Sequence, residues 1–469
     1  METATLYPLT RRQAIRKVVV LAIPAIFENI MITLVNIVDT AMVGYLGPSA
    51  TAAAALNASP IWFINAMSMA VSGGVTVLIA HSWGAEEYKT AGDYARQSLV
   101  LCILLGLFFT VVAQFIAPHY PHWMNAEADV VSDATAYMRI ISYAIIPNFV
   151  GLTLYGVVRG SGDTRTPMVV SILANLLNVV GNFLLIYPSR VLPVFGGIFM
   201  WGAGLGVRGA AISTAFATGL TGVVMLGLLF SRKDALRFSV RCSYRLKKQC
   251  VKSILRIGVP IAGERGIINI GQILYVAVIS SLGTISLSAH HLATTAEGIC
   301  YNPAYGFSAA AIIMVGQALG AHDEHAAQRF ARINICMCVA VMIVVSALMY
   351  LFSVPLIGLF SPDPAVCAQG SAVLRIIAFA EPMFAISIVT SGVLRGAGDT
   401  VAPLLIGMLC MLCVRLPLSV LFVSKLGLGL SGAWYAMGID LCLRGLLTLL
   451  RFRSGKWKAH SRRLSQAER

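Results

Sequence analysis

Charge is what this 469-residue sequence has least of: Asp, Glu, Lys and Arg together make up 12% of it. A soluble domain carries about 25% charged and roughly 45–50% apolar residues. Here hydrophobic residues reach 58% and mean hydropathy is +0.80, which excludes an ordinary soluble protein. Short alternating segments, the mark of a membrane β-barrel, are also missing. Ten cysteines give no disulfide framework. Cys102, Cys300, Cys336, Cys338, Cys410, Cys413 and Cys442 sit in apolar runs, so the Cys410-x-x-Cys413 spacing reads as small buried hydrophobes rather than a metal site. A membrane enzyme would need clustered His, Asp and Glu. The near pair His322 and His325, beside Asp323 and Glu324, reads instead as a solvated loop. No cofactor or metal is expected.

What is present is a series of apolar runs long enough to cross a bilayer core of about 30 Å as helices. Twelve spans are expected, at roughly 18–43, 51–80, 94–117, 134–158, 168–187, 205–230, 254–281, 286–316, 330–353, 370–394, 404–425 and 429–451. The first follows Arg11, Arg12, Arg16 and Lys17 but is too long for a secretory signal, so it reads as retained. The net charge of +15 is topological and does not indicate nucleic acid. Of 35 Lys and Arg, 27 lie in or beside the N-terminus, the even-to-odd loops and the C-terminus. The opposite loops hold Arg139, Arg190, Arg208, Arg375 and Lys425, while Arg265, Arg415 and Arg444 lie within spans. The positive-inside rule then places both termini in the cytoplasm.

The nonapeptide Arg159-Gly-Ser-Gly-Asp-Thr-Arg-Thr-Pro167 recurs as Arg395-Gly-Ala-Gly-Asp-Thr-Val-Ala-Pro403, 236 residues later. The same offset maps Pro24 onto Pro260, Glu28 onto Glu264, Gly84 onto Gly320 and Arg139 onto Arg375. The chain is therefore two copies of one unit. Each copy has six spans, an even number, so the repeats are parallel. The expected layout is 1–230 for the first lobe, 231–253 for a basic linker, 254–451 for the second lobe and 452–469 for a basic tail. The linker fits a cytoplasmic segment lying on anionic lipid. After the nonapeptide the first half is longer by 13 residues, around Gly196, Gly197, Gly202, Gly204 and Gly206. The nonapeptide itself reads as a joint: two glycines stop one helix, and Asp163 or Thr164 caps the next.

Ionisable groups inside a membrane are functional candidates by default. Glu28 and Glu264 are twins across the repeat, which favours a scaffold role. Asp39 aligns with Tyr275 and Glu297 with Ile61, so neither follows from duplicated architecture. A buried carboxylate of this kind can bind and release a proton. Asp39 falls toward the outer leaflet and Glu297 near the midplane. Asp440 and Arg444, spaced i,i+4, suit a structural ion pair. Glu381 is a candidate partner for Arg415. Asn175, Asn178 and Asn182 form one polar stripe, either a cation or proton site or interhelical hydrogen-bond glue. His290 and His291 sit at a span end, where an interfacial location accounts for them.

Several stretches resemble the multidrug and toxic compound extrusion (MATE) family. They are Pro24 through Val35-Asn36-Ile37-Val38-Asp39-Thr40-Ala41-Met42-Val43-Gly44, the two Arg-Gly-x-Gly-Asp-Thr loops, and Ala289-His290-His291 through Glu297 to Gly316-Gln317-Ala318-Leu319-Gly320-Ala321. The likeness is to bacterial members, the DinF-like branch among them. It implies an all-α integral membrane fold, twelve helices in two six-helix lobes around a central cavity. It also implies an inner-membrane antiporter that exports amphipathic or cationic organic compounds in exchange for H+ or Na+. In the family the first-helix aspartate binds the coupling cation, a role that falls on Asp39, with neighbours matching Asn178, Asn182 and Thr214. Asn182 departs from the pattern, since a second carboxylate is usual there. Glu297, with Glu264, is the candidate for a second coupling site. The alternative is a flippase for a lipid-linked precursor, which would want an Arg-rich cavity. A major-facilitator transporter would carry an acidic-basic signature that Gly84-Ala85-Glu86-Glu87-Tyr88-Lys89 lacks.

Overall fold

The computed structural model describes residues 10–192, 198–239 and 243–460. Gly196, Gly197, Arg241, Cys242 and the end of the basic tail lie outside the described residues. Nine helices are long and apolar enough to cross a membrane, and two bent pairs, Ala128–Tyr143 with Ile145–Gly160 and Pro364–Ala378 with Glu381–Gly396, raise the count to eleven among the described residues. The twelfth long helix, Lys248–Ser280, has 33 residues and carries Glu264 and Arg265 in its middle. The order of spans follows the expected twelve.

One element departs from the all-α expectation. The 13 extra residues of the first half are not a plain loop. Pro188–Leu192 and Ile198–Ala203 pair as an antiparallel hairpin between the fifth and sixth spans. Gly204 and Gly206 follow with φ of +64° and +56°, a region that costs glycine little.

The two bent pairs break at matching places, between Tyr143 and Ile145 and between Ala378 and Glu381, by 49° and 57°. The two joints also match. Gly162 and Gly398 take φ of +96° and +82°, so each nonapeptide turns on a glycine that a side chain would strain. Asp163 Oδ1 accepts from Thr166 N at 3.0 Å, which caps the fifth span. Asp399 Oδ1 accepts from Ala402 N at 3.4 Å in the equivalent place.

By packing, the chain falls into two units, one of residues 1–29, 80–87 and 259–469, the other of residues 30–79 and 88–258. The boundaries run through the first, second and seventh spans. The reason lies in small residues. In the first unit a Cβ on Gly306 would meet Ala22 O at 3.0 Å. In the second a Cβ on Gly258 would meet Ala70 O at 3.1 Å. Ala22 and Gly258 are related by the repeat, as are Ala70 and Gly306. The opening stretch of each half thus packs with the other half's second helix.

The first unit is built on two buried apolar clusters. One surrounds Phe307, Met314, Phe330 and Val393, with Trp457 of the tail fully buried against it. The other surrounds Tyr275, Ile377, Met411 and Trp434. In the second unit smaller clusters form around Val130 with Val207 and around Met42 with Ile186. Lipid-facing positions account for the many exposed large hydrophobics, such as Phe108, Val223 and Ile273.

Candidate functional site

Four polar residues meet in the second unit. Asp39 lies near the end of the first helix, Arg11–Gly44. Asn178 and Asn182 are one turn apart on the fifth span, Arg165–Leu185, and both are buried. Thr214 lies on the sixth, Gly206–Ser231. Asn182 Nδ2 donates to Asp39 Oδ1 at 2.5 Å. With its amide oriented to satisfy both neighbours, Asn178 donates to both Asp39 oxygens at 2.9 Å. The Asn178 carbonyl then accepts from Thr214 N and Oγ1, each at 3.2 Å. Asn175, one turn earlier, faces Ser171 instead, at 3.4 Å, so the stripe is split.

The neighbours fix this geometry. Ser213 Oγ donates to the Asn178 backbone carbonyl at 2.7 Å. A Cβ on Gly181 would collide with Ser213, so glycine lets the fifth and sixth spans approach closely. Tyr187 OH donates to Met42 O at 2.9 Å, which ties the end of the fifth span to that of the first. Tyr137, on the fourth span, interacts electrostatically with Asp39. No sequence signal marked Tyr137, because one aromatic in an apolar span is unremarkable.

The first unit holds a second set of buried charges. Glu297 and Glu381 are 5% and 0% exposed and lie within electrostatic reach of each other. Both Glu381 oxygens lack a hydrogen-bond partner. Glu264 does not join them. Arg395, from the second nonapeptide, donates to both of its oxygens at 2.7 Å. The pattern hinted at this: an acid and an arginine recur together at one offset in both halves. Arg415 does not take Glu381 as its partner. Its Nε donates to Asp440 Oδ2 at 2.7 Å and its NH1 reaches Gln272 Oε1 at 3.2 Å. Arg444 donates to both Asp440 oxygens at 2.9 Å.

Arg415 closes a π-helical turn of the eleventh span. Leu409–Arg415 and Leu421–Lys425 are π-helical turns, which rotate the face that follows them. Such turns are rare and concentrate at functional sites. Nothing in the composition of Leu409–Arg415 announces them. His290 is buried between Tyr275 and Trp434, with ring centroids 5.7 Å from each, whereas His291 is exposed. No group of three or more His, Cys, Asp or Glu forms among the described residues.

Comparison with known proteins agrees with the duplication. The MatE family profile matches residues 24–184 and again 260–421, two blocks whose starts are separated by the repeat offset. The "Probable multidrug resistance protein NorM" of Thermotoga maritima is 28% identical over 450 residues, covering 94% of this chain and 93% of that one. The "Uncharacterized transporter YisQ" of Bacillus subtilis is 26% identical, covering 89% and 90%. Among solved structures, "Crystal structure of MATE in complex with MaD3S" superposes with a TM-score of 0.87 at 23% identity, over 97% of each chain. "Outward-facing conformation of a multidrug resistance MATE family transporter of the MOP superfamily" gives 0.87 at 22%, over 100% and 99%. The chain belongs to the MatE family and is a multi-pass membrane transporter of the MATE fold, not an enzyme.

Proposed function

We propose that the chain is a secondary antiporter of the inner membrane, with both termini cytoplasmic, that exports amphipathic, cationic organic compounds by alternating access in exchange for H+ or Na+. The observation that carries this reading is the carboxylate of Asp39, held by Asn178 and Asn182 inside a membrane helix bundle. A lone carboxylate there costs several kcal/mol, and binding a cation removes that cost. Binding changes the amide contacts that tie the first span to the fifth, so loading the site repacks the end of the first helix. That repacking changes how the transporter holds its cargo. The names of the relatives, multidrug resistance proteins among them, support an organic cargo.

Glu297 with Glu381 is our candidate for a second coupling site, since Glu264 is engaged by Arg395. Asp440 with Arg444 and Arg415 is assigned to structure. The flippase alternative draws no support from arginines: Arg415 and Arg444 are occupied by Asp440, and Arg265 lies over the Tyr305 ring and interacts with Glu264. The test is Asp39→Asn in proteoliposomes. Gradient-driven efflux of a cationic dye should disappear while the protein stays folded. Unchanged ion-driven transport in that variant would sink the assignment.

A further inference from the structure

Asn178 and Asn182 both face Asp39, yet their amides are held differently. The Asn178 carbonyl accepts two hydrogen bonds from Thr214, so its NH2 group is fixed toward Asp39. Turning that amide over would leave Nδ2 donating to Thr214 Oγ1 at 3.2 Å, but it would lose the bond from Thr214 N and face the amide oxygen toward a carboxylate. Asn182 has no such anchor. It is 1% exposed, and its Oδ1 is buried with no hydrogen-bond partner. Buried amide oxygens are almost always paired, so an orphan beside a carboxylate is informative.

Each protonation state of Asp39 needs different partners. The carboxylate only accepts; the acid must donate its O–H. The ionised form is served by donors from both asparagines. Asn178 serves the acid form poorly, because accepting its O–H would cost the bond from Thr214 N. Tyr137 on the fourth span also interacts electrostatically with Asp39. Its phenol oxygen is a weaker acceptor than an amide carbonyl. Asn182 can serve both states. In either orientation the far end of its amide stays unpaired, so the end that faces Asp39 is set by the protonation state of Asp39 itself. The torsion involved is broad and roughly two-fold.

We propose that Asn182 is the proton-state switch of the coupling site, and that it makes the site select H+ over Na+. Its Nδ2 donates to Asp39 as the carboxylate. When a proton from water bonds to the carboxylate and neutralises it, the amide turns over and its Oδ1 accepts the new O–H. On release the proton returns to water and the amide turns back. Sodium has no equivalent route. A hard cation needs several oxygens pointing at it. Here one carboxylate and one amide oxygen face the site, the Thr214 hydroxyl is turned to the Asn178 carbonyl, and the Asn178 NH2 group points its partial positive charge at the same place.

This rests on the antiport reading, and the test separates the two. Dye efflux from proteoliposomes is measured under a pH gradient alone and a Na+ gradient alone, for the wild type, Asn182→Asp and the near-isosteric Asn182→Leu. Thermal unfolding of the purified wild type in NaCl and in choline chloride gives a readout that needs no variant, because a bound cation stabilises by mass action. The wild type should respond to the pH gradient only and melt at the same temperature in both salts. Asn182→Leu should lose about tenfold or more of its pH-driven transport. Asn182→Asp should gain Na+-specific stabilisation. Wild-type transport driven by Na+, or Na+-specific stabilisation of the wild type, overturns the selectivity. Wild-type pH-driven transport in Asn182→Leu overturns the switch and leaves antiport standing. No transport under either gradient overturns both.

Discussion

Arg451 Nε donates to Asp399 Oδ2 at 2.9 Å, and this pair fastens the second nonapeptide to the end of the last helix. Asp399 is 1% exposed, and His460 Nε2 approaches it at 3.9 Å from the tail. The first nonapeptide has a looser counterpart: Arg232 lies 3.7 Å from Asp163, whose side chain is 31% exposed. The motif is duplicated, but its burial is not. Asp399→Asn should therefore cost about 2–3 kcal/mol, the worth of a hydrogen bond to a buried charge. Asp163→Asn should cost about 1 kcal/mol or less, as exposed pairs do. Thermal unfolding of the two variants side by side checks the order. Equal shifts would mean that the two joints carry the same load.

Much of this is legible in the sequence. Twelve spans, the two-fold repeat and the role of the nonapeptide as a joint followed from hydropathy and from one offset. Asp39, Asn178, Asn182 and Thr214 were named from a family resemblance, and the structure brings all four together. What sequence could not give was side-chain direction. Arg415 turns to Asp440 rather than Glu381 and closes a π-helical turn of the eleventh span, and no residue type encodes such a turn uniquely. The hairpin at Pro188–Leu192 lies in a glycine-rich stretch whose apolar content hides its pairing. Glu264 takes its partner from a loop 131 residues away, a contact that only packing decides.

The glycine pairs at 84 and 320 make a second prediction. A Cβ on Gly84 would collide with the backbone of Gln317, and one on Gly320 with the backbone of His81. The repeat offset relates Gly84 to Gly320 and His81 to Gln317, so the two contacts are reciprocal. Neither obstacle is a flexible side-chain end, so neither can swing aside. Gly84→Ala and Gly320→Ala should each lose about 1–3 kcal/mol, the usual range for overpacking. Gly227→Ala is the control, because nothing lies within 4 Å of its Cβ position. That change should stabilise its helix by roughly 0.5–1 kcal/mol. Melting temperatures of the three variants decide the matter, and a harmless Gly84→Ala would mean that the crossing is loose.

Asp440 is shared by two buried guanidiniums, at 2.6 Å from Arg415 and 2.9 Å from Arg444. Arg415 also lies over the Tyr275 ring at 5.6 Å. Removing the one carboxylate leaves two buried like charges, so Asp440→Leu should cost about 3–5 kcal/mol. Replacing all three with Leu, Leu and Met removes the charges together and should recover most of that loss. A triple variant as unstable as the single one would show that the guanidiniums contribute packing which Leu and Met cannot replace.

Glu381 provides the sharpest contrast between stability and function. It opens the second half of the tenth span, just past the 57° bend. The start of a helix favours a negative charge, which is one reason an acid is tolerated there. Even so, its oxygens are fully enclosed with no donor, and Glu297 adds a like charge nearby. An acid retained in such surroundings does nothing for folding that glutamine could not do as well. Glu381→Gln keeps the volume and removes the charge, so the purified variant should melt at or above the wild-type temperature, by up to about 1 kcal/mol of added stability. If Glu297 and Glu381 form a second coupling site, the same variant should transport poorly under an ion gradient. Glu264→Gln gives the opposite profile, because it removes the charge that Arg395 pairs with at 2.7 Å and should lower stability by about 1–3 kcal/mol. Melting curves and dye efflux on the two variants separate a coupling acid from a structural one. Normal transport by Glu381→Gln would remove it from the coupling machinery.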